Sequence, residues 1–204
     1  DPARPTTLYA GTNRGVYRSV DGAASWTEAS NGILRDAFGS SYIYTLAIDP
    51  LQTRTIYAGT LLGVFKSQDG GQTWEEKTSI LRIGLRPSVE ALALDPQNPR
   101  VLYAGAGYSG LSSTLFKSQD GGDSWAPLTV GLSDALISSI AVSRQEPQAV
   151  YASTRGQGVF ASSDGGVTWR RVGQTVLETH VAAVAVGGAS NLVYAAGMRR
   201  GFYR

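Results

Sequence analysis

Short runs of hydrophobic residues recur along the whole chain, and glycine, proline, aspartate and serine separate them. In one stretch such runs cover residues 89–94, 101–104 and 114–118, and a fourth begins at Trp125. Runs of this length between turn residues are typical of β-strands, and none shows the 3.6-residue period of a helix. The pattern therefore predicts an all-β chain built from units of four short strands.

These four-strand units repeat along the chain. The sequence Tyr-Ala-Gly-Thr begins at Tyr9 and Tyr57, and variants of it begin at Tyr103, Tyr151 and Tyr194, at intervals of 43 to 48 residues. A period in the forties with four antiparallel strands per unit is typical of β-propeller blades. We therefore predict a single β-propeller domain over residues 1–204, with repeat units at approximately 1–43, 44–87, 88–135, 136–179 and 180–204.

The first strand of each unit alternates large and small residues, as in Leu46-Ala47-Ile48 and Leu92-Ala93-Leu94. Both faces of such a strand are apolar, which suits a strand that lies between two neighbouring blades. Space narrows toward the axis of a propeller, so alanine fits the tighter side. We therefore expect these strands to be the innermost strands of the blades.

A second motif, Ser-x-Asp-Gly-x-x-Ser/Thr-Trp, follows four of the five tyrosines. Its aspartate can accept N–H bonds across its own turn, its glycines can adopt positive φ, and its hydroxyl groups can cap the loop. Its tryptophan is expected to bury against the next blade, and Ala23 in place of the second glycine predicts a looser first loop. Because identical units build a scaffold whereas function comes from their differences, we interpret these residues as structural: Asp21, Trp26, Asp69, Trp74, Asp120, Trp125, Asp164 and Trp169.

This motif resembles the Asp-box, or BNR repeat, of sialidases, sortilin-type receptors, xyloglucan-cleaving glycosidases and photosystem II assembly factors. The resemblance implies a β-propeller and favours an extracytoplasmic or secreted location. It does not extend to sialidase activity, because that family opens with an Arg-Ile-Pro segment whose arginine binds the substrate carboxylate. The nearest strings in this chain are Arg82-Ile83-Gly84 and Arg86-Pro87, and neither matches.

Both ends of the chain fall inside a repeat. Asp1-Pro2 corresponds to Asp49-Pro50, so the first unit is expected to lack its first strand. The last four residues, 201–204, correspond to 15–18, so the last unit is expected to lack its box and its fourth strand. We expect the chain to be a segment of a longer propeller, and closure by the chain itself or by another subunit are the alternatives.

The composition limits the classes of partner and of catalytic or metal site that can be expected. The net charge of +2 gives no reason to expect nucleic acid as a partner, and no apolar stretch is long enough to span a bilayer. With no cysteine and with His180 as the single histidine, the chain has no thiol nucleophile and no thiolate or histidine metal cluster. We therefore expect no metal and no cofactor, and we interpret His180 as a loop or packing residue.

The order of strands divides the connections between the two ends of the blades. In an antiparallel blade the box turns lie at one end, and the links between second and third strands and between blades lie at the other, which we call the loop end. Its links vary in length, and variable loops on a rigid frame are where binding usually occurs. Aromatic residues there, Phe38, Tyr42 and Tyr108, could stack on a sugar or a peptide.

Arginines also gather at the loop end, including Arg14 and Arg35. Arginine suits forked contacts with carboxylate, sulfate or phosphate, although solvated loop arginines would show the same pattern. The candidate ligand-binding residues are Arg82, Arg86, Tyr108, Arg155, Arg199 and Arg200.

Our leading functional hypothesis is a non-catalytic binding or assembly scaffold that recognises a protein or a glycan through the loop end. The alternative is an enzyme, a glycoside hydrolase of sialidase or xyloglucanase type or a fragment of one. Its acid would be Glu90, which stands at the start of an inner strand where other units carry Thr45, Ser138 and Ala182. Glycoside cleavage needs a second carboxylate at roughly 5 to 9.5 Å, and the candidates are Asp134, Asp36 and Glu178.

Overall fold

The computed structural model describes residues 1–77, 87–107, 113–132, 135–173, 180–187, 192–197 and 201–203. Within these residues the strands form five antiparallel sheets, and strands that are consecutive in sequence pair with one another. The middle three sheets have four strands, and the first and last have three. The all-β prediction and the incomplete first and last blades are thus confirmed. The described residues contain no helix that could cross a membrane.

We number the sheets as blades 1 to 5 in chain order. Blade 1 contains β1 (Leu8–Thr12), β2 (Gly15–Ser19) and β3 (Thr27–Glu28). Blade 2 contains β4 (Ile43–Ile48), β5 (Ile56–Thr60), β6 (Gly63–Ser67) and β7 (Glu75–Glu76). Blade 3 contains β8 (Ser88–Leu94), β9 (Leu102–Gly107), β10 (Ser113–Ser118) and β11 (Ala126–Leu128). Blade 4 contains β12 (Ile137–Val142), β13 (Val150–Thr154), β14 (Gly158–Ser162) and β15 (Arg170–Val172). Blade 5 contains β16 (Val181–Gly187), β17 (Leu192–Gly197) and β18 (Gly201–Tyr203).

The first strands of blades 2 to 5 are the inner strands, and those of blades 2 to 4 each contact the inner strand of the next blade. The glycine of Tyr-Ala-Gly lies where that next strand approaches. A Cβ atom on Gly59 would stand 2.6 Å from the carbonyl oxygen of Val89, and one on Gly105 would stand 2.8 Å from Cβ of Ile137. No side chain fits at such distances, which explains the glycine in the repeated motif.

Each inner strand carries a β-bulge near its start. The pairing with the second strand of the blade skips one residue in all four, between Ile43 and Thr45 in the first of them. The extra residues are Tyr44, Glu90, Ser138 and Ala182. The expected match of Glu90 with Thr45 was therefore wrong by one residue: Glu90 corresponds to Tyr44, which is also the match that the alignment of Leu46 with Leu92 gives.

The buried side chains of the described residues form four hydrophobic clusters, one between each pair of consecutive blades. In three of these clusters the box tryptophan of the later blade packs against the earlier blade. Trp74 of blade 2 donates a hydrogen bond from Nε1 to the carbonyl of Ala29 at 2.7 Å, and Trp125 donates one to Lys77 at 2.8 Å. The tryptophans thus bury against the preceding blade and not, as expected, against the next one. The link that follows the preceding blade holds them there: the backbone N–H of Trp74 donates to the carbonyl of Asn31 at 2.8 Å, and that of Trp169 donates to Val130 at 3.1 Å.

Hydrogen bonds within each box agree with the turn chemistry predicted for it. Oδ1 of Asp69 accepts bonds from the N–H groups of Gln72 and Thr73 at 2.9 Å, and Oδ2 accepts one from the Thr73 hydroxyl at 2.5 Å. The Ser67 hydroxyl donates to Asp69 and accepts from the N–H of Gly71, both at 2.8 Å. The side chains thus close the loop.

The first box keeps this pattern in spite of Ala23. The Ser19 hydroxyl accepts the N–H of Ala23 at 2.9 Å, and Asp21 accepts the N–H of Ser25 at 2.9 Å. Ala23 adopts a φ of 76° to do so, and it is the one non-glycine residue of the described chain with a positive φ. The expectation of a looser loop is therefore not supported. The loop keeps its hydrogen bonds, and Ala23 adopts an unfavourable backbone conformation to form them.

These hydrogen bonds also hold the box aspartates in their ionised form. Bonds from the nearby serine and threonine side chains and from backbone N–H groups lower the pKa of Asp21, Asp120 and Asp164 to about 2. In Asp69 burial raises the pKa, but the hydrogen bonds outweigh it, and the pKa again falls to about 2. Because these carboxylates accept hydrogen bonds from their own loop, we assign them a structural role.

Candidate functional site

A group of aromatic and charged side chains lies at the loop end, and we call it the tyrosine–ion-pair cluster: Tyr42, Tyr44, Glu90 and Arg155. The rings of Tyr42 and Tyr44 stack with centroids 6.4 Å apart and planes inclined by 16°. A terminal guanidinium nitrogen of Arg155 lies 2.8 Å from Oε2 of Glu90. The cluster thus joins residues of blades 2, 3 and 4.

Electrostatics link the two halves of this cluster. The pKa of the Tyr44 phenol is raised, first by burial and then by the negative charges of Glu90 and Tyr42, while Arg155 opposes the rise. The strands that carry Tyr44 and Glu90, β4 and β8, also contact each other. Tyr42 and Tyr44 are nevertheless 40% and 44% exposed, so their rings are accessible to a ligand beside the ion pair.

The bulges of the inner strands bring these residues together. Tyr44 and Glu90 are both extra residues of a bulge, and bulges redirect side chains near functional sites. At the same position, the Ser138 hydroxyl instead donates to the carbonyl of Val181 at 2.5 Å, and blade 5 carries Ala182. The position therefore carries large polar side chains in blades 2 and 3 and small ones in blades 4 and 5.

Neighbouring loop residues are ordered by short-range contacts. Oδ1 of Asp36 accepts bonds from the N–H groups of Phe38 and Ser40, which closes a turn and leaves the Phe38 ring almost fully exposed. Arg35 forms an ion pair with Glu28 at 2.9 Å. Asp36 therefore shapes its own loop, and Arg35 has an acidic partner within the chain.

Most of the predicted ligand-binding residues lie outside the described residues: Arg82, Arg86, Tyr108, Arg199 and Arg200. The same holds for Asp134 and Glu178, two of the predicted partners of Glu90 in catalysis. Arg155 is described, and its partner is Glu90. His180 lies next to Arg155 through an antiparallel backbone bridge. In the part of the chain that the structure describes, no three His, Cys, Asp or Glu side chains are grouped to hold a metal ion.

The sequence did not single out Tyr44 or the pairing of Glu90 with Arg155. Tyr44 lies within a hydrophobic strand, where a tyrosine is ordinary, and Glu90 and Arg155 are 65 positions apart. The useful signal was the comparison of equivalent positions between repeats, which marked Glu90 as irregular. That comparison was one residue out of register and so missed Tyr44, although the alignment of Leu46 with Leu92 places Tyr44 opposite Glu90.

Comparisons with known proteins agree with the repeat and with the fold. The sequence model of the BNR/Asp-box repeat family matches residues 65–76, and no curated protein matches the chain significantly. An ancestral GH74 enzyme shares 23% identity and a TM-score of 0.79, with 96% of this chain and 26% of that chain covered. The GH74 xyloglucanase from Xanthomonas campestris shares 20% identity and a TM-score of 0.70, with 99% and 37% covered.

A further neighbour is YCF48 bound to a D1 peptide, with 16% identity, a TM-score of 0.64 and coverage of 95% of this chain and 57% of that one. The chain thus spans between about a quarter and three fifths of these neighbours. At such identities the likeness concerns the fold, and it includes both glycoside hydrolases and a peptide-bound propeller. Taken with the four boxes and the five sheets, it shows that this chain has a β-propeller fold and carries the BNR/Asp-box repeat.

Proposed function

We propose that this chain is a non-catalytic binding scaffold whose ligand docks on the loop end, with a glycan as the favoured class of ligand. The observation that carries the proposal is the tyrosine–ion-pair cluster. It combines two accessible aromatic rings with a paired acid and arginine, and it occupies a position that differs between otherwise equivalent blades. In repeat proteins, such differences on a common frame are where binding develops.

The chemistry of the cluster suits a sugar. Tyrosine rings present a flat apolar surface with a polar hydroxyl at the edge, which matches the apolar face and the hydroxyl rim of a pyranose. Arg155 offers several N–H donors and Glu90 offers acceptor oxygens, and the Arg155 side chain is nearly half exposed. The ion pair holds both groups in place, so a ligand would meet a preorganised surface.

The predicted arginines would extend this surface. Arg82, Arg86, Arg199 and Arg200, with Tyr108, belong to links at the loop end by strand order. A protein segment is the other ligand class that such a surface could accept, in line with the peptide-bound neighbour YCF48.

Binding to arrayed glycans and peptides tests the proposal. Tyr44→Ala and Arg155→Ala should each weaken binding by about tenfold, or ~1.4 kcal/mol, because each removes one side of the cluster. Tyr194→Ala is the matched control, since this tyrosine of blade 5 is equally exposed at 42% and lies outside the cluster. Unchanged binding in both cluster variants would reject this site, and selective binding of peptides would replace the glycan with a protein ligand.

A glycoside hydrolase is the second candidate, and Glu90 with the GH74 neighbours favours it. An enzyme would release reducing ends from soluble glycans, including xyloglucan, and would lose this activity in Glu90→Gln and Asp134→Asn. The binding scaffold should show no turnover with any of these substrates. Turnover that depends on Glu90 would therefore favour the glycoside hydrolase over the binding scaffold.

A further inference from the structure

A cavity of about 290 Å³ lies between blade 1 and the box turn of blade 2. Arg18 of β2 lies on one wall, and Gly70, Gly71 and Gln72 of the box lie on the other. Nε of Arg18 is buried and has no hydrogen-bond partner among the described residues. Burial of a charged group is costly when one of its donors lacks an acceptor. The cavity therefore contains a donor whose acceptor has to come from outside the described chain.

The residues at the position of Arg18 in blades 2 and 3 are lysines, and both have an acceptor. Lys66 donates from Nζ to the carbonyl of Gly121 at 3.1 Å, and Lys117 donates to the carbonyl of Gly165 at 2.8 Å. In both cases the acceptor is the first glycine of the next box. Blade 1 thus differs from its neighbours, because Nε of Arg18 is unpaired where the equivalent lysines are bound.

A small side chain in blade 1 opens the cavity. Each of blades 1 to 3 places one side chain over the second glycine of the following box. A Cβ atom on that glycine would stand 3.5 Å from Cβ of Lys77 in blade 2 and 2.8 Å from Cδ1 of Leu128 in blade 3. The equivalent residue of blade 1 is Ala29, and its Cβ would stand 3.7 Å away. Because alanine ends at Cβ, the space that the longer side chains occupy stays open beside Arg18.

The box that faces Arg18 also lacks an acid. Between blades 2 and 3, Asp123 forms an ion pair with Lys77 at 2.9 Å. Burial lowers the pKa of Lys66, and the negative charge of Asp123 opposes this fall. In the box of blade 2 the position of Asp123 is taken by Gln72, which carries no charge. Arg18 therefore faces a neutral box and lacks the carboxylate that accompanies the lysine of the next blade.

Glu28 also lines the cavity, but it lies on the other face of blade 1. In the pairing of β2 with β3, Arg18 stands opposite Thr27, and Tyr17 stands opposite Glu28. Residues opposite each other share a face, whereas neighbours along a strand alternate between the two faces. Glu28 forms its ion pair with Arg35 instead. It therefore does not supply the acceptor that Arg18 lacks.

We propose that this cavity binds the carboxylate of a small organic acid, which supplies Arg18 with the charge that Asp123 supplies to the next blade. The two carboxylate oxygens accept bonds from Nε and from a terminal nitrogen of Arg18, in the forked geometry that suits a guanidinium group. The side-chain amide of Gln72 offers a further donor. The site is separate from the tyrosine–ion-pair cluster and does not depend on the proposed function.

The Nε–H group of Arg18 reports on the site directly in a proton–nitrogen correlation NMR spectrum of the whole chain. Its signal is identified by its loss in Arg18→Lys. Acetate, added at constant ionic strength, should shift this signal with half-saturation at about 10 mM, as two charge-assisted bonds would give. Acetamide, which has the same shape without the charge, should leave the signal in place. Absence of a saturable shift with acetate, or an equal shift with acetamide, would overturn the proposal.

Two substitutions copy the neighbouring blades and should remove the site. Ala29→Leu fills the cavity as Leu128 does, and Gln72→Asp supplies an internal carboxylate as Asp123 does. Each should weaken acetate binding by at least about tenfold. Val167→Asp is the matched control, because it introduces the same acid at the same position of the fourth box, and it should leave binding unchanged. Gln72 is exposed, so this variant tests the site even if Ala29→Leu does not fold, and unchanged binding in Gln72→Asp would overturn the proposal.

Sulfate and an acidic peptide are the competing ligands. Sulfate at the same ionic strength should bind no more tightly than acetate, because its oxygens are not planar, and tighter binding would contradict the assignment to a carboxylate. The peptide acetyl-Gly-Glu-Gly-amide carries the same group on a protein backbone. If it bound more than about tenfold more tightly than acetate, the site would belong to a protein ligand and the assignment to a small acid would be wrong.

Discussion

The two ends of the blades use the same repeat in opposite ways. At the box end, four copies of one loop form the same hydrogen bonds, and even Ala23 adopts the backbone of the glycine that it replaces. At the loop end, the bulge position carries tyrosine, glutamate, serine and alanine in successive blades. Constancy at one end indicates that the frame depends on it, and variation at the other end is the reason that we propose the binding site there.

The largest expected effect concerns the box tryptophans. Trp169→Ala should lower the free energy of unfolding by ~3 to 5 kcal/mol, because it empties a buried socket between two blades. Trp26→Ala should cost far less, since Trp26 is 41% exposed. Urea denaturation of both variants measures the difference, and equal losses would show that the sockets do not hold the blades together.

The second largest effect is expected from acid, which should lower the stability that the boxes contribute. The box aspartates have a folded pKa of about 2 against an ordinary value of 3.8, so their contribution to stability is complete above pH 3.8 and is lost as the pH falls toward 2. Unfolding followed at pH steps from 5 to 2 should show this fall. Asp120→Asn should make it shallower, and an unchanged profile in that variant would contradict the assignment.

A smaller effect of opposite sign is expected at the first box. Ala23→Gly should raise the free energy of unfolding by ~0.5 to 1 kcal/mol, because glycine adopts positive φ without the steric cost that alanine bears. Gly71→Ala, at the same position of the second box with a φ of 87°, should destabilise the chain. Thermal unfolding compares the two, and a loss of stability in Ala23→Gly would contradict the strain at Ala23.

The smallest effect on stability is expected at the loop end. Glu90→Gln removes one partner of a partly exposed ion pair, which should cost ~0 to 1 kcal/mol. The same variant should change ligand binding, which sets it apart from the box variants. A loss of several kcal/mol would instead make the Glu90–Arg155 pair part of the frame.

Local chemistry explains why so much of the fold could be predicted. The Asp-box is a turn closed by its own side chains, so each copy can be recognised from its residues alone. The glycine of Tyr-Ala-Gly and the alternating inner strands likewise follow from short-range sterics. The direction of the tryptophans could not be predicted in this way, because it depends on hydrogen bonds from their backbone N–H groups to the links that follow the preceding blades, and these contacts join distant parts of the sequence.

The candidate site was predicted only in part. Glu90, Tyr42 and Arg155 were noticed separately, as an irregular acid, a loop aromatic and a loop arginine. Their grouping with Tyr44 depends on a bulge that displaces one residue per inner strand, and on the contact between blades 3 and 4 that brings Arg155 to Glu90. Neither is encoded in a local pattern.

The sequence by itself thus determined the repeat, the strands, the turns of the boxes and the division into two ends. These depend on interactions within a few residues, and each is repeated often enough to be recognised. The tertiary structure decided which residues meet at the loop end and on which blade each tryptophan packs. Such contacts join residues from different blades, and their geometry exists only after the blades have packed.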